Sequence, residues 1–146
     1  MPTYVVTSTP QRLSKENKAA IASHITDIHC SVTGAPRYFV QILFNDVPSD
    51  NYFLAGKILE EDNIYVHGHI REGRTTEAKQ QIMTDIMNAV ASETGADPSC
   101  LQVYITDIPA SQVAEFGSVV PEPGEEQAWE DAQSSTAKER MARLGA

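Results

Sequence analysis

The chain has 146 residues, 41% hydrophobic and 21% charged, with 8 Gly and 8 Pro. That is the size and composition of one ordinary folded domain, not of a coiled coil, a collagen or a disordered chain. Eleven Lys and Arg stand against 20 Asp and Glu, a net charge of -9, which argues against a phosphate backbone or an anionic membrane surface as the main partner. No nucleic acid and no membrane partner is expected. Cys30 and Cys100 are too few for a disulfide framework, lack metal-type spacing and suit a reducing cytoplasm. No apolar run reaches the roughly 18 to 20 residues of a spanning helix, and Met1-Pro2-Thr3-Tyr4 lacks the basic-then-apolar order of a secretory signal. A cytoplasmic protein is the expectation.

A shift of 61 residues aligns 2–48 with 63–109 without a gap, with 13 of the 47 pairs identical; average residue usage gives about three by chance. The identities include Tyr4/Tyr65, Val5/Val66, Glu16/Glu77, Gln41/Gln102, Asp46/Asp107 and the run Thr33-Gly34-Ala35 against Thr94-Gly95-Ala96. Each unit opens on a short β-branched run, Tyr4-Val5-Val6 or Ile64-Tyr65-Val66, that reads as a buried strand. Ser14 and Thr75 then stand as helix N-caps, with Glu16 and Glu77 in the first turn, where the helix dipole favours a carboxylate. The helical stripes are Ile21, Ile25, Ile28, Val32 and Ile82, Ile86, Ala89, Val90, each stopped by a glycine, Gly34 or Gly95. Second strands follow over Phe39 to Phe44 and Leu101 to Ile105.

Strand, crossover helix and strand make a βαβ unit. Two copies predict an α/β fold, an α+β sandwich of tandem pseudo-symmetric units: a four-stranded sheet with two helices on one face. The other face then needs cover, most simply from neighbouring subunits. The expected organisation is a single domain over 1–146: units at 2–48 and 63–109, a connector at 49–62, and a polar tail at 110–146 that wraps a surface or a neighbouring subunit.

The repeat also works as an internal control. Where one copy is polar and the other apolar, packing alone does not account for the polar residue. This picks out His29 opposite Val90, Arg74 opposite Leu13, Tyr104 opposite Leu43 and Arg71 opposite Pro10. Arg71 and Arg74 lie in the loop entering the second helix, where unpaired amides and two guanidiniums favour an anion. His29 lies near a helix C-terminus, where protonation is favoured. Tyr104 alternates with Val103 and Ile105 and so faces the other side of the sheet. Glu115, in Ala114-Glu115-Phe116-Gly117, follows the repeat. Singly these read as solvated arginines, a surface histidine, a core tyrosine with a rim hydroxyl and a loop acid. Pro2 is ordinary at position two, yet removal of Met1 would leave a secondary amine with a reference pKa near 8, which modest burial or charge tunes toward neutrality. His67-Gly68-His69 offers two imidazoles but no third ligand, so no metal is expected, and the glycines form no phosphate-cradling fingerprint.

The doubled unit with Pro2, His29, Arg71, Arg74, Tyr104 and Glu115 resembles the tautomerase superfamily, within it the branch of cis-3-chloroacrylic acid dehalogenase and its relatives. The likeness covers about residues 2 to 130 and includes Ile25-Thr26-Asp27-Ile28-His29, Arg71-Glu72-Gly73-Arg74, Glu115-Phe116-Gly117 and Glu122-Pro123-Gly124-Glu125-Glu126 with Trp129. It implies a homotrimer with sheets turned to a threefold axis, no cofactor and a pocket at each Pro2. Arg71, Arg74 and His29 would hold the carboxylate of a small unsaturated acid. Glu115 with Tyr104 would activate water for attack at C3, and protonated Pro2 would deliver a proton to C2. A 3-haloacrylate would then give malonate semialdehyde. The loop Gly34-Ala35-Pro36-Arg37-Tyr38-Phe39 looks closer to poorly selective relatives of that dehalogenase. Two other readings stand beside this one: a keto-enol tautomerase with Pro2 as base, and an idle oligomeric binding module.

Overall fold

A computed structural model describes residues 2–145. Strand β1 (Thr3–Ser8) leads through helix α1 (Lys15–Thr33) to β2 (Gln41–Asp46). A short hairpin, β3 (Phe53–Leu54) and β4 (Lys57–Ile58), precedes β5 (Ile64–Arg71), α2 (Thr76–Thr94) and β6 (Leu101–Ile108). A second hairpin, β7 (Ala114–Glu115) and β8 (Ser118–Val119), is followed by α3 (Glu126–Asp131) and α4 (Ser135–Gly145). The four long strands form one sheet in the order β2-β1-β5-β6, parallel within each unit and antiparallel where β1 meets β5.

The helix ends follow from the residues predicted for them. Ser14 caps α1 through the Asn17 amide, and the Asn17 side chain caps back to the Ser14 amide. Thr75 caps α2 through the Ala78 amide. Gly34 and Gly95 end both helices at φ 71° and 67°, a left-handed conformation that costs any other residue about 1 kcal/mol. Ile21, Ile25, Ile82 and Ile86 are fully buried against Tyr4, Val6, Ile64 and Val66 of the sheet, so both helices cover the same face. Each such aliphatic side chain contributes roughly 1.5–3 kcal/mol by leaving water. Lys18–Asp46 and Lys79–Asp107 tie each helix to its second strand at matching positions.

Register corrects the gapless alignment in one place. Thr3 pairs with Gln41, whereas Tyr65 pairs with Gln102. Because Gln41 and Gln102 are equivalent, Thr3 corresponds to Tyr65, Tyr4 to Val66 and Val6 to Gly68. The identical pairs Tyr4/Tyr65 and Val5/Val66 therefore face opposite sides of the sheet: Tyr4 and Val66 are buried, Val5 and Tyr65 only partly. The connection from β5 to α2 is one residue shorter than that from β1 to α1. Repetition also runs past Pro109. The turns at Ser49–Asn51 and Ala110–Gln112 and the two hairpins repeat the same backbone bonds, Leu59 to Tyr52 and Val120 to Val113.

The second strands start at Gln41 and Leu101; Phe39 instead lies in a single 3-10 turn, Arg37–Phe39. The tail is helical where the sequence reads only as polar, and it folds back on its own chain, burying Ala137 and Met141. The sheet face away from the helices carries Leu43 at 47% and Tyr104 at 57% exposure.

Candidate active site

One cavity of about 560 Å³ opens where β1 starts, α1 ends and β5 runs out. Pro2 is buried at its floor, and its carbonyl accepts from the Gln41 amide at 2.9 Å. His29 and Thr33 enter from the last turns of α1, Arg71 from the end of β5 and Arg74 from the residue before the α2 cap. The tail closes the far wall with Pro121, Pro123, Gly124, Glu126, Gln127 and Glu130. Four of the six residues expected from sequence thus line one space, although 72 positions separate Pro2 from Arg74 along the chain.

The two arginines are not alike. Arg71, the last residue of β5 and not a loop residue, is 9% exposed. Its Nη1 donates to the Pro121 carbonyl at 2.7 Å and its Nη2 to Glu126 Oε1 at 2.6 Å. Glu126 Oε2 in turn accepts from the Gly124 amide at 2.8 Å, and the bond from Arg71 holds the Glu126 carboxyl below the usual carboxylate range. Arg74 is half-buried and makes no hydrogen bond or ion pair with a described residue. Burial and the neighbouring Arg71 charge lower its pKa, against the opposing pull of Glu126. A partly desolvated guanidinium without a direct counter-ion is a ready partner for an incoming anion.

His29 differs from its expected state. It is 2% exposed, and burial, followed by the Arg74 charge, pushes its pKa down to about 3. Desolvation overrides the helix C-terminus, and the ring is neutral near pH 7. Its Nδ1 lies 2.9 Å from the Tyr4 hydroxyl, in an edge-on arrangement of the two rings.

Glu115 and Tyr104 are not brought into this cavity within one chain. Glu115 lines a second space, about 760 Å³, that shares Tyr38 and Phe39 with the first. The shared Tyr38 and Phe39 belong to an aromatic cluster with Phe116 and Trp129. Burial, with Glu130 beside it, pushes the Tyr38 hydroxyl up to about 12. Tyr104 stands on the open sheet face, edge-on to Tyr65. His67 and His69 stack on the same face with centroids 4.1 Å apart, and among the described residues no group of three metal-type ligands occurs. Sequence reasoning missed Glu126 as the partner of Arg71, because an acid in a polar tail carries no periodic signal. It also missed Tyr4, although a glycine inside a strand, Gly68, was a sign of close approach.

A family model described as a putative oxalocrotonate tautomerase enzyme matches residues 1–134. The chain belongs to the tautomerase superfamily. Within this superfamily it is similar to N1, a member of the cis-3-chloroacrylic acid dehalogenase family. The two share 34% identity over 97% of this chain and 99% of that one, with a TM-score of 0.91. The native protein Ps01740 is 32% identical over 77% of this chain and 99% of its own, with a TM-score of 0.74. A fused 4-OT, R7, solved as an asymmetric trimer, is 26% identical over 87% of this chain and 98% of its own, with a TM-score of 0.71. Among curated proteins none matches significantly. The recognised branch is therefore that of the cis-3-chloroacrylic acid dehalogenase-like tautomerases, and no helix of the described residues is long and apolar enough to cross a membrane.

Proposed function

We propose that the Pro2 cavity adds water, without a cofactor, to small α,β-unsaturated carboxylates, 3-haloacrylates among them. The carrying observation is Arg74, half-buried without a direct partner among the described residues, in the cavity that also holds Pro2 and His29. Similarity to N1 gives the reading further support. Met1, whose removal frees the amine, lies outside the described residues.

Arg74, with the His29 Nε2–H and any donor capacity that Arg71 retains beyond Glu126, binds the carboxylate and draws electron density from C3. A water loses a proton to Glu115 as its oxygen bonds to C3. The displaced electron pair passes to C2, which takes a proton from the Pro2 ammonium. With a halogen on C3, the halohydrin then loses halide and a proton and leaves malonate semialdehyde. Glu115 lines the adjoining space, which shares Tyr38 and Phe39 with the Pro2 cavity, so the attacking water sits where the two spaces meet, within hydrogen-bond reach of the carboxylate. Tyr104, exposed on the open face, takes part only as a residue of a second copy in a homotrimer.

A second reading, a keto-enol tautomerase with Pro2 as base, is favoured by one observation. The acid that would activate water does not line the Pro2 cavity, and enol-to-keto transfer needs no water. Turnover of cis-3-chloroacrylate and of an enol acid such as phenylenolpyruvate, followed against pH, separates the two. Hydration needs protonated Pro2 and falls as pH rises through the pKa of the amine; base catalysis falls on acidification. Arg74→Ala lowers kcat/KM by roughly 10- to 100-fold in either case, mainly through KM. No turnover of either acid, or an Arg74→Ala variant with unchanged KM, overturns the carboxylate-binding reading.

A further inference from the structure

We infer that Tyr4 is a positioning residue for the Pro2 cavity: its buried hydroxyl fixes the tautomer of His29, so that the Nε2–H is the donor offered to a bound carboxylate. The functional consequence rests on the carboxylate-binding reading above; the tautomer itself does not.

Tyr4 is completely buried, and the Nδ1 of His29 is the one hydrogen-bond partner of its hydroxyl among the described residues. A buried hydroxyl proton without an acceptor is costly, so the O–H donates to Nδ1. A neutral imidazole that accepts at Nδ1 carries its proton on Nε2. The ring is kept neutral by burial and by the charge of Arg74. Nε2 makes no hydrogen bond to a described residue, and His29 lines the cavity. Its donor is therefore available to a ligand and locked in that role from behind.

The other half of the molecule argues that packing does not require this arrangement. Tyr4 corresponds to Val66 and His29 to Val90, each about 1% exposed in the same core, while Gly68 corresponds to Val6. Three positions change together. A Cβ on Gly68 would stand 2.4 Å from Cε1 and 2.8 Å from Cδ1 of Tyr4, so the glycine makes the room that the phenol ring occupies. One half fills this space with valines, whereas the half that faces the cavity spends it on a hydrogen-bonded pair and a missing side chain.

Imidazole nitrogen NMR on the assembled full chain, with no substrate present, tests the inference. At about pH 7, the His29 signal of the wild-type protein is expected to be that of a neutral ring protonated at Nε2. Tyr4→Phe keeps the ring over Gly68 and removes only the hydroxyl, and its His29 is expected to shift toward the Nδ1–H form. KM for cis-3-chloroacrylate should then rise roughly tenfold, and the same hydroxyl deletion should have no further effect on KM in a His29→Ala background, which has no donor to orient. A wild-type His29 that is cationic or protonated at Nδ1, or a Tyr4→Phe variant with an unchanged tautomer, overturns the inference. If Tyr4→Phe fails to fold, the wild-type signal decides alone. Absence of turnover would contradict the proposed function, while the nitrogen signals would still decide the role of Tyr4.

Discussion

His29 and the two arginines illustrate how environment sets what a side chain can do. Arg71 is held by a carbonyl and a carboxylate of the tail, which makes it as much a clasp for that segment as a ligand group. Arg74, one turn of loop away, keeps its donors for something else. The burial of His29 also carries a stability signature. Its folded pKa of about 3 lies below the ordinary value of 6.5, so between these the unfolded chain binds a proton that the folded chain does not. Stability contributed by the neutral ring is present above pH 6.5 and is lost as pH falls toward 3. Urea unfolding should show roughly 2 kcal/mol less stability from this group at pH 5 than at pH 7. His29→Asn, which can still accept from Tyr4 and does not titrate, should remove that component; equal pH slopes for the two proteins would contradict the assignment.

At the scale of elements, the strands and helices were legible because caps, stripes and stop glycines are local. Ser14, Thr75, Gly34 and Gly95 each sit where their chemistry predicts. The one-residue slip between β1 and β5 was not legible, since Tyr4/Tyr65 and Val5/Val66 match by letter while period-two geometry puts them on opposite faces. Nor was the continuation of the repeat into the hairpins, where backbone conformation persists after side-chain identity fades. Ala55 and Phe116 both turn at positive φ, 53° and 54°, ahead of Gly56 and Gly117. The slip has a measurable consequence at Gly68. Gly68→Ala should destabilise the protein by about 2 kcal/mol through collision with the Tyr4 ring, and Tyr4→Val, the residue of the other half, should recover much of that loss. Additive losses in the double variant, measured by chemical denaturation, would contradict the paired origin of these two residues.

For the whole molecule, the pseudo-twofold builds two similar ends, of which one is open. At the other end Leu13 is buried, and Arg12 is bound through two nitrogens to Asp62, both contacts at 2.6 Å. Asn63 is buried there and donates to the Tyr52 hydroxyl. The open end keeps Pro2, His29 and Arg74. Comparison of the halves located His29 and Arg74, because polar departures from an apolar copy are visible without coordinates, whereas Pro2 stood out only as the amine that loss of Met1 would free. The tail wall was not visible that way, because it has no copy. Tyr104 and Glu115 mark the limit of a single chain: one is exposed on the sheet face away from the helices and the other lines the adjoining space that shares Tyr38 and Phe39 with the Pro2 cavity. Either chemistry requires a freed Pro2 amine in one cavity with a carboxylate-binding cation. Mass spectrometry of the purified protein after incubation with propiolate tests it most directly. Loss of Met1 and one covalent adduct on Pro2, suppressed in Arg74→Ala, is the expected outcome; a chain that retains Met1, or a processed chain that stays unmodified, would overturn the proposed chemistry.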